Sequence, residues 1–343
     1  MKKRNFPFSL LLILLAIASI ISIIFSLAFG STMISISDII EVLKAHLMGQ
    51  TSSLLLPERI IWQLRLPRVL LGFIVGAALA LAGVAMQALV RNEMADPFVL
   101  GISSGASVAA TLSMCFGVFA ILGPFRLPIS AFIGAFLTTL LVYQLSKYQG
   151  KIMISQLLLS GLVVSMMLEG ITKIITLSAP NALGLHNAQF WMSGSLAGAK
   201  WEYLTLPLII ILLTSGYLFF HYRTLNVMLL GENAAQSMGV SIHHFQKALM
   251  IVSSLLVGAT ISVSGVIGFV GLICPHLARL LVGSNHKRVL PISLLLGGIL
   301  VVWTDVIART MIAPEELPIG ALTALIGGPV FILLLKKKRT HTH

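Results

Sequence analysis

Ten stretches of roughly 20 mostly apolar residues, nearly all sparse in charge, run through this chain of 343 residues. A run of that length is what a helix needs to cross the hydrocarbon of a bilayer, where every backbone N–H and C=O must be satisfied inside the segment. The stretches fall at approximately 8–29, 67–90, 98–121, 127–146, 152–177, 204–220, 248–264, 266–283, 289–309 and 317–335. Only 10% of the residues are charged and 57% are hydrophobic, too few polar groups to cover a water-soluble fold of this size. A soluble enzyme, a nucleic-acid-binding domain and a disordered chain are thereby excluded. The expectation is an all-α polytopic membrane protein with one transmembrane domain over 1–343.

The pair at 248–283 is the weakest division, because only Ser264, Gly265, Val266, Ile267 and Gly268 separate its halves. One bent segment there would leave nine spans. Basic residues decide between the two counts. Lys2, Lys3 and Arg4 precede the first span, and Lys336, Lys337, Lys338 and Arg339 follow the last. Both termini are therefore expected in the cytoplasm, which requires an even number of spans. Ten transmembrane helices place 15 of the 23 basic residues inside and 8 outside. The net charge of +12 thus reads as topology rather than as a nucleic-acid footprint. The first span exceeds the usual apolar core of a signal peptide and is expected to stay as a helix. Cys115 and Cys274 lie within apolar runs and read as small core residues.

The segments between spans are short. In 30–66, Ser35 and Asp38 resemble a helix-capping pair, and Ile39, Ile40, Leu43 and Leu47 share a face expected to lie on the membrane. The piece 221–247 is too polar to span. It reads as a helix near 225–238 stopped by Gly239, then a second helix capped by Ser241. Such a helix–turn–helix on the cytoplasmic face suits docking to another protein, or lying on the surface.

Small residues mark where helices touch closely, since lipid supplies no hydrophobic drive for association. Gly72, Gly76, Ala80 and Gly83 run down the second span, and Gly101, Gly105 and Ala109 down the third. Ionisable residues inside spans are few. Glu169 and Lys173, and Asp305 and Arg309, are each four apart on one helical face. Each pair reads either as self-neutralising or as the lining of a passage. Arg65 and Arg68 flank Leu66 and Pro67 at the outer end of the second span, where they serve as interfacial anchors or as a cationic patch for a soluble partner.

No G-x-x-x-x-G-K-[ST] loop is present, and Gly150-Lys151 is only a fragment of one. The chain does not bind ATP by that motif, so active transport would draw on a partner chain or, as the alternative, on a gradient as a secondary transporter does. No paired Asp or His-x-x-x-His cluster supports intramembrane catalysis, and a helix-end hydrogen bond accounts for His276 beside Pro275 better than catalysis does. No run of titratable residues supports a proton-driven carrier. No resident cofactor or metal is expected; the Thr340–His343 tail is too short to make a metal site.

Several motifs, in order, resemble the iron-siderophore and cobalamin ABC-importer permeases of the FecCD type. They are Arg65-Leu-Pro-Arg68, Gly76 to Gly83 with Met86-Gln87-Ala88-Leu89, Asn92 to Pro97, Leu100-Gly101 and Gly105-Ala106. Further on come Leu230-Gly231-Glu232 to Gly239, Gly265 to His276 with Arg279, Asp305 to Arg309, and Glu316 to Gly320. The resemblance spans about 35–335 and departs at Glu93-Met94, where the family often has Pro-Leu. It implies a cobalamin-importer-permease-like fold of ten helices and a pair of permease chains. It also implies two cytoplasmic ATP-binding subunits and an extracytoplasmic substrate-binding protein. By the same resemblance, Arg65, Arg68 and Arg309 meet acidic residues of the binding protein. Gly231, Glu232, Ala235 and Gly239 couple to the ATPase. Met166, Met167, Glu169 and Lys173, with the segment 187–198, line or gate the passage. Iron-siderophore cargo is expected first, with haem and cobalamin as alternatives.

Overall fold

The computed structural model describes residues 7–49, 54–149 and 151–339. The basic cluster at residues 2–4, Gly150 and the tail at 340–343 lie outside the described residues. The described chain is almost wholly helical. Its helices are α1 (Phe8–Ser26), α2 (Ile36–Leu47), α3 (Leu55–Glu58), α4 (Leu66–Val90), α5 (Ile102–Phe116), α6 (Arg126–Leu145), α7 (Ile154–Leu177) and α8 (Ala182–Met192). They continue as α9 (Thr205–Phe220), α10 (Tyr222–Met228), α11 (Glu232–Ser237), α12 (Ile242–Ser264), α13 (Val270–Val282), α14 (His286–Thr310) and α15 (Ile319–Arg339). A two-stranded hairpin, β1 (Lys147–Tyr148) and β2 (Lys151–Ile152), joins α6 to α7.

Seven helical stretches are long and apolar enough to cross a membrane, and three more, Ile102–Phe116, Val270–Val282 and Ile319–Ile332, are apolar but shorter. All ten coincide with the stretches read from the sequence.

The core is built around α4, which is buried along most of its length and packs against α14, α12 and α13. Two contacts on it leave no room for a side chain. A Cβ on Gly76 would strike the carbonyl of Gly297 on α14, and one on Gly83 would strike the carbonyl of Gly271 on α13. The small-residue row is therefore the surface that lets three backbones meet. A second group, α5, α6 and α7, packs beside it, with Gly105 and Gly134 in the same kind of close approach.

Four local expectations need correction. The second span does not begin at Pro67. A π-helical stretch, Arg59–Arg65, carries α3 straight into α4, and the Leu66 N–H bonds back to the Ile61 carbonyl. The wider turn ends where Pro67 has no N–H to offer. The residues expected to share one membrane-facing side of α2 are divided between the core and the exposed surface. Ile39 and Val42 are buried against Leu27, Ile61, Val69 and Val302, while Ile40 and Leu47 are exposed. The expected cap does form, with the Ser35 hydroxyl accepting from the Asp38 N–H at 3.2 Å. The single helix expected at 225–238 is two, α10 and α11, parted at Gly231 with φ +100°. Ser241 precedes α12 without a side-chain cap bond.

The stretch 248–283 is two helices. Gly265 (φ +65°) and Phe269 (φ +67°) both sit in the left-handed region between α12 and α13. Gly265 is required twice over, since its Cβ would also strike the Trp191 carbonyl.

Candidate functional site

Three groups of the residues singled out in the sequence occupy three places: the C-terminal end of α1, the exposed face of α7, and the loop carrying α10 and α11.

Arg65 and Arg309, far apart in sequence but adjacent in space, close the C-terminal end of α1. That helix has no basic residue in its own last turn. Its final carbonyls and those just beyond are taken by the two guanidiniums instead. Arg65 donates to the carbonyls of Leu27 at 2.6 Å and Ala28 at 3.2 Å, and to Thr32. Arg309 donates to Ser26 at 2.8 Å. Both are only 6% exposed. Orphan carbonyls and the negative end of the helix dipole are thus satisfied from other elements.

Arg68 sits beside them and spans two carboxylates. It bonds Asp305 at 2.8–3.1 Å and Glu316 at 2.7–2.9 Å, tying α4 to α14 and to the segment before α15. Asp305 also faces Arg309 at 3.5 Å, the i,i+4 pair read in the sequence. The three arginines are brought together as expected, but they are turned inward rather than laid out on the surface. Glu316 is the partner that spacing did not reveal, being 248 residues from Arg68.

On α7, Met166 and Met167 are 65% and 54% exposed, and Glu169 and Lys173 are exposed with them. No ion pair joins Glu169 to Lys173 among the described residues, so self-neutralisation does not explain them. A long apolar helix with few buried residues and two open charges presents a face without a partner among the described residues. The segment after α8 is pinned at both sides. Gly320 donates to the Ser193 carbonyl at 3.0 Å, Ile319 to Gly194 at 2.8 Å, and Ser195 to Ser264 at 2.8 Å. A cavity of about 370 Å³ opens beside it, lined in part by Asn187, Trp191, Ser195, Lys200 and Tyr203.

In the loop, Ala235 is fully buried and faces the core, whereas Leu229, Leu230 and Met238 are exposed. Glu232 accepts from Arg91 at 2.9 Å and from Gln246 at 3.4 Å, which fastens α11 to the end of α4 and to α12. Asn226 on α10 accepts from the His286 N–H at 2.8 Å and donates to Asn285 at 3.1 Å. Gly231 and Gly239, at φ +100° and +79°, bound α11. The loop is fastened to α4, α12 and the start of α14 and carries an apolar exposed edge. Arg91, Asn226, Gln246 and Asn285 were not foreseen, because these bonds span 14 to 141 residues and leave no local pattern.

Nearby, Asp96 caps the turn Pro97–Leu100 by accepting from the Phe98 N–H at 2.8 Å. Burial pushes its carboxyl up to about 6, and that hydrogen bond opposes the rise only in part. Among the described residues there is no group of His, Cys, Asp or Glu able to hold a metal ion.

The profile of the FecCD transport family matches residues 15–337, nearly the whole chain. The chain belongs to the FecCD transport family. A relative in Bacillus subtilis, the ABC transporter permease protein YvrB, is 40% identical over 92% of this chain and 90% of its own length. The hemin transport system permease protein HmuU of Yersinia pestis is 38% identical over 81% of this chain and 84% of its own. A solved inward-facing structure of a metal-chelate type ABC transporter superposes with a TM-score of 0.84 at 32% identity, covering 95% of this chain and 99% of that one. This family member is an ABC importer permease of the metal-chelate type and a multi-pass protein of the cytoplasmic membrane.

Proposed function

We propose that this chain is the permease of an importer for an iron-siderophore complex, working as one of two permease chains with ten spans each and both termini in the cytoplasm. Two ATP-binding subunits seat on α10 and α11, and an extracytoplasmic binding protein delivers the cargo. The observation that carries the two-chain reading is the exposed face of α7. An apolar helix bearing Glu169 and Lys173, exposed and without an ion-pair partner among the described residues, has reason to face a second copy across a polar passage rather than lipid. Met166 and Met167 supply the soft, adaptable part of that lining.

Coupling follows from the loop. Leu229, Leu230 and Met238 offer an apolar edge to a partner's cleft, and Glu232 with Arg91 transmits a push on α11 into α4. ATP bound in the partner favours one of two states, and the passage opens to one side at a time. At the outer end, docking through Arg65, Arg68 and Arg309 requires these arginines to exchange carbonyls and carboxylates of their own chain for those of the binding protein. Docking therefore competes with the hold on α1, a natural route from binding to movement.

The cargo reading rests on relatives. Their names specify siderophore and ferric hydroxamate import at 37% and 35% identity, beside hemin at 38%, cobalamin at 37% and molybdate at 34%. The test is uptake in cells lacking the chain against complemented cells. The panel holds ferric hydroxamate, catecholate and citrate complexes, haem, cobalamin and molybdate. Loss of one ferric-siderophore complex alone supports the proposal. Loss of haem, cobalamin or molybdate alone moves the protein to that cargo.

A further inference from the structure

We propose that a groove between α6 and α12 holds an acyl chain of an anionic phospholipid, whose phosphate is bound between Lys147 and Lys247. The groove measures about 80 Å³ and is walled by Phe136, Leu140 and Tyr143 of α6 and by Met250, Ile251 and Leu255 of α12. Phe136 to Tyr143 is two turns, roughly 10 Å along the helix axis. Two hydroxyls also border it, but both are spent. Thr139 donates to the Ala135 carbonyl at 3.0 Å and Ser254 to Met250 at 2.8 Å. The groove thus offers an occupant only apolar contact. Its volume takes a short run of methylene groups, the part of an acyl chain that would lie between the two helices.

Charge at one end identifies the head of the occupant. The Lys147 ammonium stands 4.1 Å and the Lys247 ammonium 5.9 Å from the centre of the same Tyr143 ring. Two cations converge on one aromatic side chain at the groove's mouth. Neither makes an ion pair with a carboxylate among the described residues. The Lys147 ammonium donates to the Gln144 side-chain oxygen at 3.3 Å, its one side-chain hydrogen bond among the described residues. Two ammonium groups near one ring, neither in an ion pair with a carboxylate among the described residues, leave positive charge available to an anion. The hairpin holds the arrangement: Lys147 pairs with Ile152 across it, and β2 packs on α12. The mouth lies at the same membrane face as α10 and α11, since α12 follows that loop directly. Tyrosine and lysine at that level are where a phosphate headgroup sits.

The test uses the full chain purified in detergent and native mass spectrometry. Phosphatidylglycerol and phosphatidylcholine with identical acyl chains serve as probes. Wild type is expected to retain phosphatidylglycerol at least tenfold better. The double variant Lys147→Gln/Lys247→Gln should lose that preference while still retaining some of either lipid. Ser254→Phe, which fills the groove, should lower retention of both. A control variant, Lys287→Gln/Arg288→Gln, removes two cations from the start of α14 and should keep the preference. The proposal is overturned if wild type does not discriminate, if the lysine variant discriminates as before, or if the control loses as much. Retention of a second copy of the chain at the groove, seen as a disulfide-linked dimer of Phe136→Cys, would equally overturn it.

Discussion

At the scale of single residues, the arginines at the end of α1 show how a charge inside a membrane protein is tolerated. Arg68 is held by two carboxylates, and Asp305 is almost completely buried behind it. Removing one partner of such a pair leaves an uncompensated buried charge. Arg68→Ala is expected to destabilise the protein by about 3–5 kcal/mol, read as a lower thermal midpoint in detergent. Arg68→Ala/Asp305→Asn should recover part of it, and Arg68→Lys less, because an ammonium cannot match two carboxylates in fork geometry. If Arg68→Ala unfolds with the wild type, the network has no structural weight. Asp96 gives a pH prediction of fixed sign. Its folded value, about 6, lies above the ordinary 3.8. The native state therefore holds a proton more often than the unfolded chain between those values. Stability attributable to Asp96 is present below about 4 and is lost as pH rises through about 6. Asp96→Asn keeps the cap oxygen and should flatten that slope, with a gain over wild type above pH 6. A midpoint profile across this range, unchanged by the substitution, would contradict the assignment.

At the scale of elements, two features decide how helices meet. The α4 surface is made of residues too small to hold neighbours away, so Gly83→Ala places a methyl against the Gly271 carbonyl. A backbone atom cannot swing aside as a side chain can. A loss of about 1–3 kcal/mol is expected from overpacking of this kind, and it should be visible in the thermal midpoint. Gly170 on α7, where a Cβ meets nothing within 4 Å, is the matching control, and Gly170→Ala should be neutral or slightly stabilising. The short helix α11 is a second case. Its Ala235 N–H bonds the Gly231 carbonyl at 3.0 Å, and the side chain is buried. Ala235→Pro removes that bond and adds a ring where there is no space. Co-purification of the ATP-binding subunit should fall sharply while the transmembrane part stays folded by circular dichroism. Normal co-purification with normal uptake would separate α11 from coupling.

At the scale of the whole molecule, the exposed α7 face has to be covered. Among the long apolar stretches, α1 and α7 have the least buried in the chain itself. Lipid alone suits α1, which carries no charge between Phe8 and Ser26. It does not suit Glu169 and Lys173. Met166→Cys is expected to cross-link to its own copy in membranes with a short bifunctional reagent, and Ile13→Cys on α1 is not. Cross-linking of neither position would remove the two-chain passage from α7.

Much of this was legible in linear sequence, for a physical reason. Hydrocarbon demands about 20 apolar residues per helix and small residues where helices touch, and both demands are local. Hence the apolar stretches, the Gly76–Gly83 row and the Ser35 cap could be read without coordinates. The partners of charged groups could not. Arg65 and Arg309 read as a surface patch because nothing in their neighbourhood shows that they reach the carbonyls at the end of α1. Arg68 with Glu316, Glu232 with Arg91, and Asn226 with Asn285 are joined across 59 to 248 residues. The break of 225–238 at Gly231 likewise depends on α10 and α11 each finding a separate support. Local chemistry set which segments are helices in a membrane; only the packed chain decided where each buried charge found its counterpart, because that requires distant segments to be brought within 3 Å.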